Sequence, residues 1–173
     1  MKVLRSSMQF AAFIMLFLFL ACTSTKFSTI WKDETYQGHP EKVLVINMFE
    51  NPSIRRLFED EMVKALKDHK VDAVAKHTTL PPDQVAYDKD AIAALAKEAG
   101  ADSVLITKPA GISEHSYFNT HTDVYDMKTN KLISYVSAET KMQIGSPNPK
   151  DYVSYVPSYV KDLVNKLSKA GLF

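Results

Sequence analysis

The sequence of 173 residues has one cysteine, five glycines and a formal net charge of only +1. A single cysteine excludes an intramolecular disulfide and a multi-cysteine zinc or iron–sulfur site. Because 21 Lys and Arg face 20 Asp and Glu, interspersed along the chain, the basic surface of a nucleic-acid-binding protein is not expected. The glycines are isolated, which excludes a glycine-rich phosphate loop, and eight prolines are too few for a low-complexity chain.

The N-terminal segment has the composition of an export signal. Lys2 and Arg5 precede an apolar run over residues 10–20 (FAAFIMLFLFL), which is followed by Ala21 and Cys22. The run is too short to cross a ~30 Å hydrocarbon core, which takes about 20 helical residues. The segment therefore predicts a cleaved signal peptide rather than an anchor helix.

The end of this segment resembles the lipobox of bacterial lipoproteins, in which a cysteine after a small residue is lipidated and becomes the mature N-terminus. The resemblance makes Cys22 the lipidated residue, although Phe19 stands where the family prefers Leu. Attachment through several acyl chains holds a protein stably on a bilayer. Thr23 occupies the place where the inner-membrane retention signal of enteric bacteria has Asp, so the resemblance implies the periplasmic leaflet of the outer membrane. The alternative is ordinary secretory cleavage beside an incidental cysteine.

The predicted organisation is a signal peptide over residues 1–21, a lipidated terminus and tether over 22–26, and a single periplasmic α/β domain over 27–173. Two nearly continuous apolar runs, 42–49 (KVLVINMF) and 103–107 (SVLIT), predict strands covered on both faces. Such strands need helices on both sides of the sheet. The fold class is therefore α/β, with a mixed central sheet and the order β-α-β-α-β-β-β-α.

Helical periodicity and end signals predict three helices. They run from Asn51 and Pro52 to His69, from about residue 88 to 99 with Gly100 as the stop, and over about 157–170 with Pro157 at the start. The remaining predicted elements are a strand at 71–75, a hairpin of 122–127 and 132–144, and a possible first strand at 27–31 anchored by Trp31.

Two local features accompany these elements. In the hairpin, the carboxylate of Asp126 can bond the turn backbone, and Asn130 tolerates a left-handed conformation. The charged residues of the first helix predict a solvated face. These residues are Arg55, Arg56, Glu59, Asp60, Lys64 and Lys67.

The order KVLVINMFEN, amphipathic helix, VDAV, helix, AGADSVLIT and DVYDMKTNKLISY resembles the periplasmic domain shared by the TolB N-terminal region, CsgG and LpoB. The matching pieces lie within residues 43–135. The resemblance implies the same α/β fold and a role in scaffolding or partner binding, and it carries no catalytic residue across. Pore formation of the CsgG kind is not expected, because the chain lacks a long transmembrane hairpin segment.

No constellation of residues indicates catalysis, a cofactor or a metal ion. A G-x-S-x-G elbow is missing, and a lipidated Cys22 is not a nucleophile. His115 and His121 lie near Glu114 and Asp123, but in an extended segment the two histidines would be ~20 Å apart, too far to share a metal ion. The chain is therefore not expected to be an enzyme.

The segment over residues 113–123 is the candidate partner surface. Period two would place His115, Tyr117, Asn119 and His121 on one face and Phe118 on the other. Aromatic rings beside short polar side chains are typical of interfaces, and an edge strand could also accept a partner strand. The alternatives are a polar loop or edge strand without a partner, with Phe118 in the core. The tyrosine-rich segment 152–159 competes for the same role.

These expectations lead to two hypotheses about the function of the protein. The first is a non-enzymatic, lipid-anchored docking or accessory module of an envelope assembly. The alternative is a periplasmic carrier or sensor of a small apolar or lipid-like ligand, which would require a sizeable apolar cavity between sheet and helices.

Overall fold

The structure is a computed structural model that describes residues 25–79, 88–112, 117–141 and 149–173. The predicted signal peptide and Cys22 lie outside these ranges. In chain order, the elements are β1 (Thr25–Lys32), β2 (Lys42–Asn47), α1 (Pro52–Asp68), β3 (Asp72–Ala75), α2 (Lys89–Ala99), β4 (Ser103–Ile112), β5 (Tyr117–Asp126), β6 (Lys131–Lys141) and α3 (Pro149–Lys169). Within the ranges given, no helix combines the length and the apolar character needed to cross a membrane.

The six strands form one mixed sheet in the order β1-β6-β5-β4-β2-β3. β2 pairs in parallel with β3 and β4, while the other neighbours are antiparallel. Parallel neighbours need a crossover connection, and α1 and α2 supply the helices of the two crossovers. The predicted α/β class with a mixed sheet is confirmed.

Helices cover both faces of the sheet, as predicted, but unequally. α1 and α3 pack on one face over sheet residues that include Val43, Val45, Leu105 and Val124. α2 packs on the other face, mainly over β2 and β4, with the half-buried Val74 of β3 and Tyr125 of β5 at the margins. The residues of this smaller core are Leu44, Ile46, Val104, Ile106, Leu95 and Ala96.

Several end signals that the sequence predicts are present in the structure. The side chain of Asn51 caps α1 by accepting hydrogen bonds from the backbone N–H groups of Ser53 and Ile54. Gly100 ends α2 with a φ of 63°, in the left-handed region where glycine is favoured. In the hairpin turn, Asn130 has a φ of 55°.

Two features differ from the sequence prediction. α3 begins at Pro149, and Pro157 lies inside it rather than at its start. The ring of Pro157 is exposed, and burial of the neighbouring Val156 and Tyr159 offsets the hydrogen bond that its missing N–H cannot make. Trp31, predicted to anchor the first strand, is instead 44% exposed on the edge strand β1.

Replacement of Asp126 tests the hairpin turn. Its Oδ2 atom accepts hydrogen bonds from the backbone N–H and the hydroxyl of Thr129, at 2.8 and 2.6 Å. Asp126→Ala removes both, so we expect the free energy of unfolding to fall by about 1–3 kcal/mol in urea titrations. Lys128→Ala, at an exposed position of the same turn, should change it by less than about 0.5 kcal/mol. Equal losses would show that the carboxylate does not hold the turn.

Candidate functional site

The candidate partner segment lies largely in β5, at the centre of the sheet. From Tyr117 onward it is hydrogen-bonded to β4 on one side and to β6 on the other. The edge-strand interpretation is therefore wrong for this part of the segment, because β5 has no free edge for a partner strand. His115 lies outside the described residues.

Alternation along β5 separates the candidate residues as the period-two pattern predicts. Asn119 pairs with Glu139 of β6, and His121 pairs with Ser137, two residues apart on the same face. Phe118 faces the opposite side, toward α1 and α3. The structure thus brings Asn119 and His121 together and places Phe118 apart from them. A role in partner contact stays a prediction for all five candidates, His115, Tyr117, Phe118, Asn119 and His121.

Phe118 is half-buried against the larger core. Its ring meets that of Phe49 edge-on, with centroids 5.2 Å apart, and Phe49 in turn meets Phe58 at 5.4 Å. Aromatic pairs with this geometry contribute energy beyond their buried area. Phe118 therefore has a structural role in joining β5 to the end of β2 and to α1.

A small void lies beside these rings, between the sheet and the helices α1 and α3. Its volume is about 30 Å³, lined by residues that include Phe118, Tyr155 and Tyr159. The hydroxyl of Tyr159 lies 2.8 Å from that of Thr120, and burial raises the pKa of Tyr159. A void of this size does not admit a lipid-like ligand.

On the opposite face of β5, β6 and β1, no helix of the described residues covers the sheet. We define the open sheet face as Thr29, Trp31, His121, Tyr135 and Ser137. Trp31 lies opposite Tyr135 in the sheet register, and Thr29 lies opposite Ser137. The rings of His121 and Tyr135 make an edge contact at 5.3 Å. The core that α2 forms does not extend to these five residues.

A groove borders this open face where α2 meets the sheet. Its volume is about 480 Å³, and its apolar floor includes Ile106 and Tyr125. Lys108 and Asp123 form an ion pair on its wall, with Nζ and Oδ2 2.8 Å apart. The hydrogen bond to Asp123 raises the pKa of Lys108. Lys89, at the start of α2, also lines the groove.

A buried polar network lies where β2 and β3 end. Glu59 is 1% exposed, and its carboxylate accepts hydrogen bonds from the backbone N–H groups of Asn47 and His77, at 3.0 and 3.1 Å. The His77 ring bridges Glu59 and Asp60, with contacts of 2.8 and 3.1 Å. Lys76 is also buried; this burial lowers its pKa, and the nearby charge of Glu59 acts in the opposite direction.

The prediction that the charges of α1 are all solvated is wrong for Arg55 and Glu59, which are both buried. The signal was present in the sequence. Arg55 and Glu59 precede the buried Met62 and Leu66 by seven residues, which is close to two helical turns, so they share the apolar stripe. No group of three His, Cys, Asp or Glu side chains in the described ranges is placed to hold a metal ion.

Comparisons with solved structures identify similar folds. PelC from Paraburkholderia phytofirmans, solved as a dodecamer, is 14% identical, with a TM-score of 0.51 over 80% of this chain and 96% of that chain. The lipoprotein GNA1162 from Neisseria meningitidis is 13% identical, with a TM-score of 0.47 over 75% and 97% of the two chains. The LpoB C-terminal domain from Escherichia coli is 14% identical, with a TM-score of 0.47 over 62% and 87%.

No protein-family model and no curated protein matches the chain. At the identity found for PelC, similarity concerns the fold alone. The lipobox and the TolB resemblance stay predictions.

Replacement of Phe118 and Trp31 distinguishes core from surface. Phe118→Ser removes a ring packed against Phe49, so we expect the free energy of unfolding to fall by about 2–4 kcal/mol. Trp31→Ser removes a largely exposed ring and should lower it by less than about 1 kcal/mol. Urea titration of both purified variants measures the difference. A greater loss for Trp31→Ser would contradict this assignment.

Replacement of Glu59 tests the buried network. Glu59→Ala leaves the buried N–H group of Asn47 and the partly buried one of His77 without their acceptor, so a loss of about 3–5 kcal/mol in unfolding free energy is expected. The matched variant is Asp60→Ala, because this neighbouring carboxylate also contacts His77 but is 62% exposed. It should cost less than about 1 kcal/mol. Thermal and urea unfolding measure both variants. If Glu59→Ala loses no more stability than Asp60→Ala, the buried contacts of Glu59 add little.

Proposed function

We propose that the chain is a lipoprotein, attached through Cys22 to the periplasmic leaflet of the outer membrane, that acts without catalysis as a docking or accessory module of an envelope assembly. The observation that carries this function is the position of Ile30 and Trp31. These are the exposed large hydrophobic residues of the described chain, and they are consecutive on the edge strand β1. Alternation turns Ile30 toward the side of α3 and Trp31 onto the open sheet face.

Trp31 belongs to a surface with the composition of an interface. The open sheet face joins an exposed indole and a partly exposed phenol to Thr and Ser side chains. In interfaces, such aromatic rings supply buried area, and their short polar neighbours supply adaptable hydrogen bonds. The outer edge of β1 also presents backbone groups to which a partner strand can bond. His121 is the candidate residue of the β5 segment that lies within this surface.

Similarity to PelC supports this function at the level of the fold. The PelC chain assembles as a dodecamer, so a domain of this architecture can present surfaces to other chains. The absence of catalysis is part of what we propose, and it is supported by the structural use of the best candidate groups. Glu59 and His77 bond backbone and each other within the buried network.

A ligand carrier is the second candidate, and the groove beside Lys108 favours it. Its volume of about 480 Å³ lies in the range of small-molecule sites, roughly 300–1,000 Å³. Native mass spectrometry of the protein extracted from its membrane tests this candidate. A bound small molecule that Ala93→Trp removes would support a carrier, because Ala93 lines the groove and is only half-buried.

Photo-cross-linking in the native envelope tests docking. A photoreactive amino acid at Tyr135, on the open sheet face, should capture one specific envelope protein from the full-length lipidated chain. Trp31→Ser should reduce this capture at least several-fold, because it removes the exposed ring opposite Tyr135 in the register. The matched site is Lys67, exposed on α1, from which the same partner should not be captured.

Further measurements test the lipid anchor and the docking surface separately. Cys22→Ser should release the chain from the membrane and lower capture at Tyr135, because the anchor no longer holds the chain beside its partner. Mass spectrometry of the N-terminal peptide reports acylation directly. Capture of the same bulk neighbours from Tyr135 and Lys67, unaffected by Trp31→Ser, would contradict docking through the open sheet face.

A further inference from the structure

The lipidation site and the first strand are close in the chain. Two residues, Thr23 and Ser24, separate Cys22 from Thr25, the first residue of β1. A fully extended chain spans at most ~3.3–3.6 Å per residue, so Thr25 lies within about 11 Å of an anchored Cys22. Whatever surrounds Thr25 is therefore held next to the bilayer.

The surroundings of Thr25 include the end of α3. Thr25 and Phe27 share a groove of about 310 Å³ with Lys166 and Lys169, in the last turn of the helix. Asp162 lies in the same groove and contributes the opposite charge. Lysines at a helix C-terminus interact favourably with the helix dipole. Their position beside the first strand, however, is set by the tertiary structure.

A third lysine follows Thr25 directly. Lys26, Lys166 and Lys169 are exposed, and Lys26 lies opposite Glu139 in the sheet register. Within the groove, Lys166 and Lys169 stand against Asp162, which leaves an excess of one positive charge. Lysines held near an anionic lipid surface are attracted to it, and the attraction falls off within a Debye length. Strand alternation turns Lys26 to the sheet face opposite α3, so it does not share the groove of Thr25. We name Thr25, Lys166 and Lys169 the anchor-proximal surface.

Trp31 lies far from this surface along the same strand. Trp31 comes six positions after Thr25, which corresponds to about 20 Å at the rise of a β-strand. An exposed tryptophan can itself be a membrane-interface residue, so its position relative to the bilayer distinguishes two orientations of the domain.

We propose that the anchor-proximal surface contacts the phosphate-bearing headgroups of the bilayer, and that Trp31 and the open sheet face point away from it. This orientation rests on the lipidation of Cys22 proposed above. It leaves the docking surface accessible to a periplasmic partner while the lysines of α3 meet the lipid.

Tryptophan quenching tests this orientation, because Trp31 is the single tryptophan of the chain. The full-length lipidated protein is reconstituted in phosphatidylethanolamine–phosphatidylglycerol vesicles that contain lipids brominated near the headgroup. Fluorescence of Trp31 is compared with that of Lys169→Trp in a Trp31→Phe background. We expect severalfold stronger quenching at position 169.

A matched reporter and a lipid control complete the experiment. Lys97→Trp in the same background places the reporter on α2, at an exposed position on the other side of the sheet, and should be quenched as little as Trp31. Vesicles of phosphatidylcholine alone should weaken quenching at position 169, because the anionic lipid is missing.

The outcomes separate this orientation from the function on which it rests. An acylated, vesicle-bound chain in which Trp31 or Lys97→Trp is quenched as strongly as Lys169→Trp overturns the orientation and leaves the anchor intact. A chain without acyl groups contradicts both. A photoreactive amino acid at position 169 extends the test to the native envelope. If quenching is weak in vesicles and this residue captures one specific protein in the envelope, a protein, not lipid, covers the anchor-proximal surface.

Discussion

The parallel pairing of β2 with β4 is the constraint on which the rest of the structure depends. Both strands bury side chains on both faces, as Val43 and Leu44 show by pointing to opposite cores. The sheet must therefore be covered on two sides, and the crossover helices α1 and α2 provide this cover. α3 returns at the end of the chain to extend the first layer over β5, β6 and β1.

Within the described residues, the second layer is a single helix of 11 residues, and its length decides which part of that sheet face it covers. At 1.5 Å per residue α2 is about 16 Å long, enough for the apolar residues of β2 and β4. Beyond them the same sheet face carries polar and aromatic residues such as His121 and Tyr135, which do not require burial. The open sheet face and the groove beside α2 are two consequences of this short layer.

The first layer, formed by α1 and α3, contains a buried charged residue, Glu59. Glu59 is buried because α1 packs across the ends of β2 and β3, where Asn47 and His77 present backbone N–H groups that need an acceptor. A carboxylate that satisfies two such groups joins the helix to both strands. The buried charges under α1 therefore have a structural role. On the other face of the sheet, Trp31 is exposed and available for contact.

Local features of the sequence determined much of the fold: the apolar runs of β2 and β4, the Asn51 cap, the Gly100 stop and the Asp126 turn, because each depends on neighbours within a few residues. Alternation likewise separated Phe118 from His121. Tertiary structure alone decided that β5 is central rather than an edge, because its partners β4 and β6 are chosen by pairing across the sheet. It also decided that Trp31 is exposed and that Asn47 and His77 meet Glu59, since these contacts depend on which distant element packs against a side chain. Helical spacing placed Glu59 on the apolar stripe of α1 but did not name its partners.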